Sequence, residues 1–139
     1  MKQFIGIKRI GILVALMSFQ SLGVTKIEVF YIGKTLTPKA LNGVQVDYYH
    51  LEEPPSLNQV LEETSTQSPS VAEKQTEAFL HSRQGEQWKA QNTRYYAAIN
   101  KAFGYQLKGV PAIVLDSEKV IYGTTDIKEV LRKYALQKK

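Results

Sequence analysis

Two stretches near the beginning of the chain alternate between apolar and polar positions. Residues 26–32 read KIEVFYI and residues 44–51 read VQVDYYHL, and both are rich in β-branched and aromatic side chains. A two-residue alternation with this composition predicts half-buried strands. The segment between them, GKTLTPKALNG, has glycine at both ends and a proline within, which predicts a loop or a short irregular helix. The sequence EEPPS ends the second strand, because consecutive prolines cannot continue a ladder.

The middle of the chain has the periodicity of amphipathic helices. Ser56 is the predicted N-cap of a short helix, LNQVLEE, which the polar linker TSTQSPS closes. A longer helix is predicted over residues 70–83, where Ser70 and Glu73 have the spacing of a capping box.

A second long helix is predicted over residues 86–103, in which aromatic and aliphatic side chains recur at helical spacing. Gly104 is its candidate C-cap. Gly85 is either a break between the two long helices or a glycine tolerated within a single one.

The last third of the chain predicts a hairpin and a closing helix. Residues 112–115 form a short, wholly apolar run, the pattern of a strand buried on both faces. A turn at residues 116–119 leads to a second strand at 120–122, and Thr125 is the predicted cap of an amphipathic helix. The order strand, strand, helices, strand, strand, helix predicts an α/β protein with a four-stranded mixed sheet and flanking helices.

The first 23 residues predict an export signal. MKQFIGIKRIGILVALMSFQSLG places three basic residues before an apolar run at 10–16 and a polar, small-residue stretch. Ser21 and Gly23 fit the small positions before a cleavage site, so we expect a signal peptide over 1–23 and a mature domain over 24–139. The alternative is an uncleaved anchor, although the run is shorter than the roughly 20 apolar residues of a membrane-spanning helix.

Charge and cysteine content narrow the function classes. The net charge is +5, but three basic residues fall in the first 23, and the remainder carries fifteen basic and thirteen acidic side chains. This balance, without a basic cluster, does not favour direct nucleic-acid binding. With no cysteine and two histidines, the chain offers no thiol nucleophile and no thiolate or histidine-rich metal site. We therefore expect no catalytic residues, no metal and no cofactor.

The stretch GVPAIVLDSEKVIYGTTD, residues 109–126, places a proline directly before an apolar strand and a hairpin. Together with the order of elements, this stretch resembles the thioredoxin fold. In that fold the matching proline is cis, so the resemblance implies a cis bond between Val110 and Pro111. The turn that carries paired cysteines in redox members corresponds to residues 32–38, which contain none. Thiol–disulfide exchange is therefore not expected.

Several pieces of sequence extend the resemblance over the whole mature chain. They are KIEVFYI, VDYYHLE, W-x-x-x-x-x-R-Y-Y-A-A-I-N-K-A and, above all, KGVPAIVLDSEKVIYGTTDIKEVL. These pieces resemble a family of small exported proteins encoded in the conjugative transfer gene clusters of integrating conjugative elements of Gram-negative bacteria. The resemblance implies a thioredoxin-like, periplasmic accessory of a type IV secretion-like machine, and it implies no reaction. The implied partners are other envelope proteins of the conjugation apparatus, with inner-membrane contact only through an uncleaved signal.

A partner-binding groove is expected beside the proline. By the same resemblance, Val110 presents backbone groups to an extended peptide, next to Pro111 and opposite the loop that holds Thr35 and Thr37. Tyr122 completes this candidate set. A purely structural role for the proline, bending the chain into the sheet, is the alternative.

The two carboxylates that bracket the hairpin have a simpler interpretation than a cation site. Asp116 is interpreted as a turn residue and Asp126 as a charge at a helix N-terminus. The sequence thus favours a non-enzymatic accessory that acts by protein contact. The alternatives are a cysteine-less relative of disulfide oxidoreductases and isomerases that acts as a periplasmic chaperone, and a nucleic-acid-binding accessory.

Overall fold

The elements follow the predicted order. A computed structural model of the protein describes residues 23–62 and 68–137, so the predicted signal peptide, apart from its last residue, lies outside the described part. The strands are β1 (Lys26–Tyr31), β2 (Gln45–His50), β3 (Ala112–Leu115) and β4 (Lys119–Tyr122). The helices are α1 (Leu57–Leu61), α2 (Pro69–Leu80), α3 (Arg83–Gly104) and α4 (Ile127–Gln137).

The four strands form one mixed sheet in the order β2-β1-β3-β4. β3 is antiparallel to both β1 and β4. At the start of β2, the Gln45 amide donates to the Thr25 carbonyl, and at its end the Leu51 amide donates to the Tyr31 carbonyl, both at 2.8 Å. Between these two hydrogen bonds, the donor moves six residues along the chain, from Gln45 to Leu51, and the acceptor also moves six, from Thr25 to Tyr31. The two strands therefore run in the same direction, so β1 and β2 are parallel. The predicted four-stranded mixed sheet of an α/β protein is therefore confirmed.

The chain divides into two compact units. Unit 1 consists of the described residues up to Phe30, the segment Leu36–Tyr48 and the described residues from Gly109 onward. Unit 2 consists of Tyr31–Thr35 and Tyr49–Lys108 and includes α1, α2 and α3.

The core of unit 1 is built from β1, β3 and one face of α4. All four residues of β3 are buried, as its unbroken apolar run predicts. α4 contributes Ile127, Val130 and Leu131, which recur at helical spacing. Burying each such aliphatic side chain contributes about 1.5–3 kcal/mol, so this face fixes α4 against its unit.

β1 departs from the predicted half-burial. Its alternation predicts one solvent-facing side, yet every residue after Lys26 is buried, including Glu28 at 0% exposure. The Lys26 ammonium lies 3.1 Å from the Glu28 carboxylate. A buried carboxylate requires such a partner because removing a lone charge from water is costly.

The N-terminus of α2 was predicted two residues too late. The N-cap is Ser68, Pro69 occupies the first turn, and Ser70 lies inside the helix, so the capping box predicted there is wrong. Proline is well suited to a first helical position, where no intrahelical partner for its missing N–H is needed. A capping box does occur at α1, where Ser56 is confirmed as the N-cap and pairs with Gln59.

The break between the two long helices lies before Gly85. Ser82 is the N-cap of α3, and its hydroxyl accepts from the Gly85 amide at 3.0 Å and donates to the Phe79 carbonyl at 2.6 Å. Gly85 is buried in the first turn of α3, where a side chain would meet the Phe79 carbonyl oxygen. Glycine is therefore required here for close approach of the backbones.

Two further predicted caps are corrected by the structure. Gly104 is the last residue of α3, and the positive φ beyond the helix belongs to Gln106, at 52°. Thr125 does not cap α4, because the Glu129 amide donates to the Asp126 carboxylate at 3.2 Å. Asp126 is thus the capping residue, which agrees with its interpretation as a charge at a helix N-terminus.

Candidate functional site

The β3–β4 hairpin brings three of the predicted site residues together in unit 1. The bond between Val110 and Pro111 is cis, as expected. The Gly123 amide donates to the Pro111 carbonyl at 2.9 Å, and Tyr122 lies opposite Ala112 in the sheet. Val110 and Pro111 are half-buried, whereas 46% of Tyr122 is exposed. An exposed aromatic side chain therefore stands at the proline end of the hairpin.

The two predicted threonines lie in the loop after β1. Thr35 belongs to unit 2 and Thr37 to unit 1, and both are exposed. The groove predicted between the proline and this loop stays a prediction.

A cleft of about 430 Å³ lies along β4 and α4, entirely within unit 1. Its strand wall is continuous from residue 119 to 124, and its helix wall includes Val130 and Tyr134. Successive residues of a strand point to opposite faces of a sheet. A cleft that touches all of them therefore follows the edge of β4, and we call it the edge cleft. The sequence predicted Tyr122 as a site residue but gave no sign of this helix wall.

The polar groups of the edge cleft are unevenly distributed. The Lys119 ammonium donates to the Gln137 side chain at 2.9 Å and lies 4.6 Å from the centre of the Tyr134 ring. Lys133 forms an ion pair with Glu129 at 2.7 Å. The lining therefore holds two lysines and one carboxylate, which gives it a net positive charge.

Asp116 has a structural role that the sequence reveals only in part. It and Ser117 both have positive φ, 48° and 61°, at the centre of the β3–β4 turn, as a type I′ turn requires. One carboxylate oxygen of Asp116 accepts from the Thr25 amide, the Thr25 hydroxyl and the Lys26 amide, at 2.8–3.0 Å. The turn interpretation is confirmed, and the carboxylate also fastens the beginning of β1 to the hairpin.

His50, at the end of β2, has contacts that the sequence did not indicate. Its ring stacks on Tyr31 with centroids 4.8 Å apart, and Nε2 lies 2.8 Å from the Gly33 carbonyl oxygen. Nε2 is also 3.3 Å from the Glu52 carboxylate. These contacts, all within unit 2, hold the loop after β1 to the end of β2.

Unit 2 carries an exposed apolar stripe on α3. Tyr96, Ile99 and Phe103 are 59%, 37% and 83% exposed. Their spacing of three and then four residues places them on one face of the helix. We call this set the α3 stripe.

The described ranges 23–62 and 68–137 contain no group of three or more histidine, aspartate or glutamate residues placed to hold a metal ion. Within the same ranges, no helix is both long and apolar enough to cross a membrane.

The fold defines an α/β protein with a small mixed sheet whose edge strand, β4, lies beside a helix. Residues 24–139 match the model of the family described as Protein of unknown function (DUF1525), and the chain belongs to that family. No curated protein matches the chain. No solved structure matches it either.

Proposed function

We propose that this DUF1525 protein is a non-enzymatic, exported accessory of the conjugative, type IV secretion-like DNA-transfer apparatus of an integrating conjugative element. It acts in the periplasm by contact with other envelope proteins of that apparatus. The proposal rests on the resemblance carried by KGVPAIVLDSEKVIYGTTDIKEVL and on the exposed surface of the same segment.

The observation that carries the contact function is the position of Tyr122. Its side chain is 46% exposed beside the half-buried residues Val110 and Pro111, at the edge of the sheet. Tyrosine is enriched among the residues that contribute most to protein interfaces, because it offers a large apolar area and a hydroxyl at a small entropic cost. This end of the hairpin is the proposed contact surface.

The test uses donor cells in which the gene is deleted and then restored. We expect deletion to lower the transfer frequency of the element, and the wild-type chain to restore it and to co-purify an apparatus component from the envelope. Val110→Asp should abolish both, and so should Tyr122→Asp, which at a 46% exposed position should leave the melting temperature nearly unchanged. Leu136→Asp is the matched control, because it places the same charge at a 67% exposed apolar position of α4. Undiminished transfer without the gene would overturn the proposal.

The α3 stripe favours a second candidate function, that of a cysteine-free periplasmic chaperone. Exposed apolar side chains bind unfolded clients without any thiol chemistry. A chaperone should suppress the aggregation of an unfolding client, and Phe103→Ser should weaken that suppression. An insulin-reduction assay should be blank under both proposals, because the chain has no cysteine.

A further inference from the structure

β4 is the outer strand of the sheet and borders the edge cleft. We propose that this edge is a strand-addition site that receives an extended, acidic segment of a partner protein. The proposal rests on the protein contact proposed above and adds the conformation and charge of the bound segment.

The hydrogen-bond pattern of the hairpin leaves main-chain groups facing outward. The Gly123 amide bonds to Pro111, so residues two and four positions earlier, Ile121 and Lys119, also face β3 in the antiparallel register. Val120, between them, directs its N–H and C=O away from β3. A residue so placed exchanges two hydrogen bonds with one residue of an added antiparallel strand, and such main-chain bonds are the basis of recognition by β-augmentation.

The wall formed by α4 makes this edge a groove. Lys119 of β4 is bonded to Gln137 near the end of α4, so the helix runs beside the strand in the opposite direction. A lysine on an edge strand often blocks pairing with another chain. Here the Lys119 ammonium lies over the Tyr134 ring instead, which turns it toward the helix. The cleft has the volume and the walls to hold alternate side chains of an added strand.

The charge of the cleft identifies the class of segment. Lys119 and Lys133 line it together with one acidic residue, Glu129. An extended segment with acidic side chains complements this balance, whereas a second copy of β4 would bring its own lysine to the same edge. The occupant is therefore an acidic segment of a different protein.

The test uses defined peptides and the full mature chain. The probe is a blocked nine-residue peptide of alternating valine and threonine that carries two glutamates, compared with the same peptide carrying two lysines. We expect the acidic peptide to bind more tightly than the basic one, and the difference in affinity to decrease with added salt. In Lys133→Glu the preference should reverse, so that the basic peptide binds more tightly. Two N-methylated versions of the acidic peptide extend the test, one methylated at the odd-numbered residues and the other at the even-numbered residues. One version should lose binding and the other should keep it, because only one of the two sets of amides faces the protein.

Val120→Pro removes an outward N–H without removing a bond to β3, since proline is tolerated at such edge positions. It should weaken binding by up to about tenfold, as expected for losing the one hydrogen bond that the Val120 N–H donates. Leu136→Asp is the control for surface changes and should bind normally. Three outcomes would each overturn the proposal. They are equal binding of the peptide by Val120→Pro and wild type, no binding of the acidic peptide, and a wild-type dimer in sedimentation that Val120→Pro dissociates. With either of the first two outcomes, the protein could still co-purify an apparatus component through another surface. Failure of the strand-addition site is therefore distinguishable from failure of the proposed function.

Discussion

At the scale of single residues, the Asp116 carboxylate joins segments that are 91 residues apart in sequence. It accepts three hydrogen bonds from Thr25 and Lys26 while its own backbone holds a positive φ. Asp116→Ala should lower the free energy of unfolding by about 2–3 kcal/mol, because bonds to a charged acceptor are lost and alanine disfavours that φ. Asp116→Asn retains an acceptor oxygen and tolerates the conformation, so its loss should be smaller. Denaturant titration of both variants measures the difference, and equal losses would contradict the role of the carboxylate.

The Glu86–Lys89 pair gives a second prediction at this scale. The Lys89 ammonium lies 2.6 Å from the Glu86 carboxylate, and the hydrogen bond and the charge of Lys89 hold the pKa of Glu86 below its usual value. A lowered pKa means that the pair stabilises α3 above the unfolded pKa and loses this effect as pH falls through the folded pKa. An NMR titration should show the pKa of Glu86 rising in Lys89→Gln and staying low in Lys89→Arg. A shift unchanged in Lys89→Gln would contradict the pairing.

At the scale of elements, two glycines of α3 differ in the space available for a side chain. Gly85 lies against the Phe79 backbone, whereas Gly104 has open space where a methyl group would lie. Gly85→Ala should destabilise the protein by about 1–3 kcal/mol, because α2 and the start of α3 must separate. Gly104→Ala should stabilise it by about 0.4–1 kcal/mol, because alanine is the better helix residue and φ there is not positive. Thermal unfolding of the two variants should shift in opposite directions, and a loss in both would contradict this distinction.

The elements also show how far local sequence patterns reach. Alternation predicted β1 and β2, an unbroken apolar run predicted β3, and the turn after it predicted β4. Together with helical spacing, these patterns also predicted the order of the elements, because they reflect which side chains the backbone can bury. Helix caps were missed at Ser68, Tyr105 and Asp126, where several neighbouring residues suit a cap and the backbone path decides among them. The burial of Glu28 was missed for another reason. The alternation in β1 shows which side chains share a face of the strand, but not whether other elements cover that face.

The candidate site was predicted in the same uneven way. The hairpin register brings Pro111 and Tyr122 together, as the motif leads one to expect, while their role in binding stays a prediction. The helix wall of the edge cleft comes from residues beyond the motif, including Lys133 and Tyr134. Which side of the hairpin α4 covers depends on tertiary packing, so no local spacing indicates it.

At the scale of the whole molecule, some apolar side chains stabilise the fold, whereas others are exposed and available for binding. Substitutions should distinguish the two groups. Ile113 is fully buried in unit 1, whereas Phe103 is 83% exposed in unit 2. Ile113→Ala should lower the free energy of unfolding by about 2–5 kcal/mol through lost burial and the cavity left behind. Phe103→Ser should change it by less than about 0.5 kcal/mol, as expected for an exposed position, while reducing the binding of a hydrophobic dye. If Phe103→Ser proved as destabilising as Ile113→Ala, the α3 stripe would belong to a packed interior, and the chaperone candidate would lose the surface on which it rests.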